Sequence, residues 1–496
     1  MIQTLIPAPA TAEAHVAGRL APLLGKLFAT TLTARTLLLL LAGLLCAIPG
    51  FFGLHWLALM LDWDSVVLLL VLTDILSLPP AHSLRVTRTF LDSPVLGRET
   101  RLELAVQQLE VQHHTNSILQ IHIADDLHPA LALLPPSGDR TVFPRDPARL
   151  AFTITPNRRG DFPLGGIWLR WRGRLGLAER RALAQPAQRI RVYPTMERSA
   201  DDTALYLLRI RQIELQRRRL RITGTGREFD HLRDYRAGDE MRNISWPATA
   251  RRAKVVTREF TTERSQQVWI VLDAGRLSGT VFELRRAVPA SASTPAFRDA
   301  ASDESFLLSL TQLDQACGAA IALAQTVMQA GDKAGLMVYG RGIQQQLLPA
   351  TSASALRVMI DALSQSRVEG SEADHLRAAA RLGQLQRRRS LVLWITEMAD
   401  SARRPDVADA AVDLARRHLV LLVVLNHPEI QATAAREPRT AAQMFESAAA
   451  QEVIERRRQI LAVLRSKGVL VVETTPGALR TDAINEYLEV KARGLL

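Results

Sequence analysis

The chain has 496 residues, room for two to four domains, and is 47% hydrophobic and 23% charged, which excludes a disordered or low-complexity polymer. Its two cysteines, Cys46 and Cys317, are too few for a disulfide framework or a cysteine-ligated zinc site. The formal charge is +12, yet only five of the 62 basic residues are lysine, and the arginines are mostly interleaved with acids. Aromatics at 5% leave few stacking platforms, so nucleic acid is not an expected partner.

Between Arg35 and Arg85 the sequence turns apolar. Thr36 to Leu54 carries no charge, and a second run from Trp56 to Leu78 is broken only by Asp62, Asp64 and Asp74 before Pro79-Pro80. Each run is close to the ~20 residues that cross a hydrocarbon core of ~30 Å. Two transmembrane helices over 36–79, after a short segment over 1–35, are therefore expected; a helical hairpin buried in a soluble domain is the alternative. Arg19, Lys26 and Arg35 precede the first run, Arg85 and Arg88 follow the second, and the turn between them has no lysine or arginine. The positive-inside rule then places both termini and everything after Leu84 in the cytoplasm.

From 83 to 195 the text reads as short strands. Alternation appears in Leu102-Glu103-Leu104-Ala105-Val106, in Leu119-Gln120-Ile121-His122-Ile123 and in Ile167-Trp168-Leu169-Arg170-Trp171. Turn signals at Pro135-Pro136-Ser137-Gly138, Arg159-Gly160-Asp161 and Gly165-Gly166 separate them, and a small β-sandwich is expected. His113, His114 and His122 lack a carboxylate or cysteine at ligand spacing and read as strand-edge residues rather than a metal site.

A linker region over 200–262 opens with a basic helix, Asp201 to Arg221, suited to lipid headgroups or to service as a solvated connector. It continues into a dense polar segment holding Arg227, Glu228, Asp230, Arg233, Tyr235, Asp239, Arg242, Trp246 and Arg251. Such a mixture packs only if guanidinium forks meet carboxylates, which argues for an interdomain clasp or a partner surface. The competing reading is a hydrolytic carboxylate pair, Glu228 with Asp239. Gly224-x-Gly226 follows a helix rather than a strand and reads as a turn, not a phosphate cradle.

From 263 to 496 strands and helices alternate. Val268–Leu272, Gly335–Tyr339, Leu391–Thr396, Leu419–Leu425 and Val469–Glu473 are nearly continuous apolar runs, as in a parallel sheet covered on both faces. Helical periodicity marks Leu310–Ala330, Ser354–Leu363, His375–Gln384, Asp406–Arg416, Ala441–Leu464 and Asp482–Ala492, with a loop insertion at Ala287–Ser305. A doubly wound α/β domain follows, with its crevice at the carboxyl ends of the strands.

The string Gly226-Arg-Glu-Phe-Asp-His-Leu-Arg-Asp-Tyr-Arg-Ala-Gly-Asp-Glu-Met-Arg-Asn-Ile-Ser-Trp-Pro-Ala-Thr-Ala-Arg resembles the signature of a bacterial family called domain of unknown function 58. Two spans, a β-rich part ending in Val192-Tyr193-Pro194, the signature and an α/β tail occur in the family's order. Ser245 stands where the family often has Asp. The resemblance implies a von Willebrand factor type A-like tail, an inner-membrane location, and a non-enzymatic adaptor role beside a MoxR-type AAA+ ATPase, in assembly or maturation of client proteins. A transglutaminase-like membrane protein is a further implied neighbour; a carboxylate-dependent hydrolase is the alternative function. Type A domains hold Mg²⁺ through Asp-x-Ser-x-Ser and two later loops. Here Asp273 keeps the first place, Gly275 and Leu277 replace both serines, Ser278 is one residue late, and Ser371, Asp374 and Glu397 are stand-ins from later loops. Loss of two hydroxyl ligands implies a degenerate site, so no cofactor is expected beyond a weakened claim on Mg²⁺.

Overall fold

The computed structural model describes residues 11–15, 30–45, 56–108, 119–132, 136–143, 148–173, 175–195, 228–236, 239–261, 265–287, 305–398 and 406–495. The basic helix expected over 201–221, Arg227, and most of the expected loop insertion, residues 288–304, lie outside the described residues. The chain divides into two compact units, Met1–Tyr193 and Pro194–Leu496.

Strands of the first unit are β1 (Thr11–His15), β2 (Thr30–Leu32), β3 (Leu84–Phe90), β4 (Thr100–Gln108), β5 (Leu119–Asp125), β6 (Ser137–Val142), β7 (Ala148–Ile154), β8 (Gly160–Pro163), β9 (Ile167–Arg172), β10 (Ala178–Ala184) and β11 (Arg189–Val192). They form an antiparallel sheet in the order β1-β3-β4-β7, a second in the order β2-β10-β9-β5-β6, and a ribbon of β11 with β8. The alternation read from the sequence is realised: Leu84, Val86 and Phe90 of β3 and Leu119, Ile121 and Ile123 of β5 are buried, with more exposed neighbours between them. One pair of that buried set is charged. Arg88 of β3 donates to Asp125 of β5 at 3.0 Å and to the Gly165 carbonyl at 2.9 Å, tying one sheet to the other. Arg88 is therefore spent inside the β-rich unit and cannot serve as a charge flanking a membrane span.

Two helices stand between β2 and β3: α1 (Ala34–Gly43) and α2 (Trp56–Ser77). No helix among the described residues is long and apolar enough to cross a membrane, so the expected pair of spans finds no support there. The physical reasons are visible. The first run gives a helix of only ten residues before the undescribed stretch 46–55, and the second, although 22 residues long, carries three aspartates. Asp74 is 1% exposed and accepts backbone N–H groups from Leu177 at 2.8 Å and Ala178 at 2.9 Å, with Leu175 at 3.3 Å. Its carboxylate thus anchors the end of α2 in the β9–β10 turn. Toward solvent both helices present leucines, among them Leu37, Leu38, Leu41, Leu68, Leu69 and Leu76.

In the second unit the strands are β12 (Glu228–Asp234), β13 (Val256–Thr261), β14 (Gln267–Asp273), β15 (Val281–Ala287), β16 (Ser305–Thr311), β17 (Lys333–Tyr339), β18 (Ile343–Ala350), β19 (Leu391–Thr396), β20 (Leu419–Leu425) and β21 (Leu470–Thr474). The helices are α3 (Trp246–Arg252), α4 (Gln312–Gln329), α5 (Ala353–Gln365), α6 (His375–Leu385), α7 (Asp406–Ala415), α8 (Pro428–Ala435), α9 (Ala441–Ser466) and α10 (Leu479–Ala492). The main sheet runs β18-β17-β14-β19-β20-β21. All its neighbours are parallel except β18, which pairs antiparallel at the edge. Counted by appearance, that order is 3-2-1-4-5-6, the doubly wound arrangement, and its switch point lies between β14 and β19. Helix α4 opens on a capping box, Thr311 with Asp314, which fixes where β16 stops and the helix starts.

Replacing Asp74 by alanine should leave the Leu177 and Ala178 amides without their acceptor and destabilise the first unit by roughly 3 kcal/mol, the scale for charged buried hydrogen bonds. Denaturant unfolding of wild type and Asp74→Ala checks this; equal midpoints would remove the anchoring role.

Candidate functional site

Parallel strands buried on both faces leave polar chemistry to their ends. Asp273 terminates β14, Tyr339 terminates β17 and Thr396 terminates β19, all buried. Thr396 donates its hydroxyl to Asp273 Oδ2 at 2.7 Å, bridging the switch point, and the Gly275 amide donates to Oδ1 at 2.8 Å. Burial pushes the Asp273 carboxyl up, against the pull of His375 and of these two donors.

The loops around Asp273 explain the missing serines. Arg276 N–H donates to the Ser371 carbonyl at 2.8 Å and Glu369 N–H to the Ala274 carbonyl at 2.8 Å. At Gly275 this approach leaves no room: a Cβ there would sit 2.8 Å from the Ala373 nitrogen. A serine at that position could not be accommodated without moving the loop. Ser278 turns its hydroxyl back onto the Gly275 carbonyl at 2.7 Å, and Asp374 caps α6 by accepting the Arg377 amide at 2.9 Å. Glu397 is paired to His427 through Oε1. Asp273, Ser278, Ser371, Asp374 and Glu397 therefore surround one region, but Ser278 and Asp374 are committed to their own turns. Among the described residues no three His, Cys, Asp or Glu side chains form a group that could hold a metal. With Ser278 and Asp374 so committed, the donor set does not fit Mg²⁺.

Sequence reasoning misses a second layer in the same place. The Tyr339 hydroxyl receives Trp394 Nε1–H at 2.8 Å and lies 2.7 Å from His375 Nδ1. The hydroxyl thus joins the Trp394 indole and the His375 imidazole in one hydrogen-bonded chain. Burial lowers the His375 pKa and raises that of Tyr339 well above the usual phenol value. His427, just beyond β20, completes the polar rim through Glu397, whose Oε2 has no hydrogen-bond partner among the described residues although the side chain is buried. The signal that could find such residues is a polar pair immediately following an apolar run, a pattern that Asn426-His427 shares with Thr396-Glu397.

The signature segment folds as a ribbon of β12 with β13 and the short helix α3 between them. Arg233 grips Asp239 with both nitrogens at 2.8 Å, and the Arg236 amide donates to Asp239 at 2.9 Å. These donors, Arg233 first, hold the Asp239 carboxyl down at about 2. It is a fixed anion rather than a proton carrier, which weighs against pairing it with Glu228 for hydrolysis. Glu228 and Asp230 lie on β12, their side chains outside the described residues. Arg242 pairs with Glu240 two residues away, at 2.6 Å. Both ion pairs are thus local. Met241 at 78% and Trp246 at 67% are strongly exposed, and Tyr235, Arg251 and Arg252 are exposed beside them in the sequence.

Residues 231–288 and 296–435 match the family described as Protein of unknown function DUF58. The match covers less than half of the chain. The DUF58 region starts on β12, so the match contains Arg233, Asp239, Trp246, Asp273 and Glu397. An Uncharacterized protein YeaD of Bacillus subtilis (strain 168) is 24% identical over 164 residues, covering 31% of this chain and 38% of that protein. The chain thus matches well under two thirds of that relative's length. Among solved structures, the conserved hypothetical protein BatB from Bacteroides thetaiotaomicron is 14% identical, with a TM-score of 0.25, over 45% of this chain and 99% of that one. The SpRpn10 VWA domain is 12% identical, with a TM-score of 0.23, over 45% and 95%. At such scores the fold of the DUF58 region is read from its own strand order.

Two measurements check the site. Gly275→Ser should lower stability by roughly 1–3 kcal/mol through overpacking against Ala373, and millimolar Mg²⁺ should not restore the melting temperature; a Mg²⁺-dependent recovery would show that these loops hold the ion after all. Asp239 is depressed on folding, so its contribution to stability is complete above the ordinary carboxylate value of about 4 and is lost as pH falls through about 2. Carboxyl NMR titration should find its midpoint near 2, moving toward the ordinary value in Arg233→Gln.

Proposed function

We propose that this chain is a membrane-associated adaptor whose DUF58 region presents a docking surface to a partner protein, a MoxR-type AAA+ ATPase or its client. The observation that carries the reading is the exposure of Trp246 and Met241 within the segment where Asp239 is locked by arginine. Exposed tryptophan, tyrosine and arginine are the residue types that anchor protein interfaces, and a preorganised ribbon lowers the entropy cost of docking. Arg251, Arg252 and Lys254 add positive charge on the same short excursion, favouring an acidic partner face. The strand order 3-2-1-4-5-6 with an antiparallel edge supports a von Willebrand factor A-like head, and the strand-end rim around Asp273 and Glu397 is its second recognition surface.

Membrane association rests on the leucines that α1 and α2 turn outward, an apolar surface too extended for a helical pair in water. Arg35 in the first turn of α1 and Arg85 after α2 favour a cytoplasmic position for the two flanks on the inner face of a bacterial membrane.

Trp246→Ala and Met241→Ala should leave the melting temperature within about a degree, both side chains being exposed, and weaken capture of the purified ATPase by roughly 30-fold each, as interface anchors do. Unchanged affinity in the double variant would sink the signature as the docking surface.

A further inference from the structure

The outward face of the five-stranded sheet is arranged in cross-strand rows. One row runs Thr141, Gln120, Arg172, Glu179 and Thr31; the next runs Asp139, His122, Arg170 and Arg181. Both acids in these rows are already engaged. Glu179, nearly buried, accepts Arg172 at 3.1 Å and Arg181 at 2.6 Å, and Asp139 lies 2.7 Å from His122 Nδ1. Arg170 stands opposite His122 on one side and Arg181 on the other, two residues from Arg172, and its charge adds to theirs in holding the Glu179 carboxyl down. A concavity of about 660 Å³ opens here, lined in part by Gln120, His122, Arg140, Arg170 and Arg172. Trp168, 54% exposed, follows on the same face of β9.

This face adjoins the helical hairpin. β9 ends at Arg172, and the next residue, Gly173, passes so close to α2 that a Cβ would sit 2.5 Å from Asp74 Oδ1. Three residues of strand span about 10 Å, so Arg170 stands within that distance of the hairpin's base. If the leucines of α1 and α2 occupy hydrocarbon, the layer met at that base is the phosphodiester headgroup layer.

We infer that the Arg170 face of the β-sandwich docks on anionic phospholipid headgroups beside the hairpin, phosphate oxygens balancing the excess of arginine over carboxylate on that face. The inference rests on the membrane seating proposed above. Guanidinium forks suit phosphate oxygens, and Glu179 already occupies Arg172 and Arg181.

The test uses the full chain with Cys46→Ser and an environment-sensitive fluorophore on Thr141→Cys, reconstituted into two vesicle types. One is pure phosphatidylcholine; the other contains roughly 30% phosphatidylglycerol as the anionic component. The expected result is a blue shift in the anionic vesicles alone, reversed at about 0.5 M salt, abolished in Arg170→Gln and largely kept in Arg170→Lys. The same spectrum in both vesicles, or an unaltered shift in Arg170→Gln, overturns the inference while leaving the hairpin's seating intact. Alkaline carbonate extraction is run in parallel. Release of the protein from both vesicle types would remove the seating itself, and the headgroup inference with it.

Discussion

A parallel strand covered on both faces has no side-chain position left for polar groups along its length. In β14, β17, β19 and β20 nearly every residue is buried and apolar, so charge and hydrogen bonding concentrate where those strands stop. Asp273, Tyr339, Thr396 and Glu397 are the outcome of that constraint. They are linked through Trp394, His375 and His427, with the β14–β19 switch point at the centre and only Glu397 Oε2 left over among the four. The site is a consequence of the sheet rather than an addition to it.

The same constraint governs what is legible in the sequence. Runs such as Leu391–Thr396 and Leu419–Leu425 are apolar without alternation, and their limits coincide with the observed strands. β18 escapes because an antiparallel edge strand has no such signature: Gln344, Gln345 and Gln346 are partly exposed, and Pro349 is tolerated only at an edge. The metal-site stand-ins can be named from spacing, but not the reason for the missing serines. That reason is the approach of the Ala373 backbone to Gly275, a contact between loops nearly a hundred residues apart in sequence. Asp74 reads locally as an interruption of an apolar helix, and its partners are backbone amides about a hundred residues downstream that no local pattern could disclose.

In the signature, the sequence correctly demands that arginine meet carboxylate, and Arg233 with Asp239 meets that demand. What composition cannot convey is the allocation of exposure. The charged pair is drawn in while Trp246 and Met241 are left out, the reverse of the usual sorting by polarity. Locking the ion pair gives the ribbon a fixed shape, and a fixed shape lets large apolar side chains remain presented instead of collapsing onto the sheet.

The hairpin is inserted between β2 and β3, and the β2 partner is β10, reached only after Ala178. A ribosome therefore releases every leucine of α1 and α2 long before the last strand of the sandwich exists to anchor Asp74. Through roughly a hundred codons of translation those helices have no folded sheet to lean on, so the order of synthesis leaves the Asp74 anchor among the late contacts of the first unit.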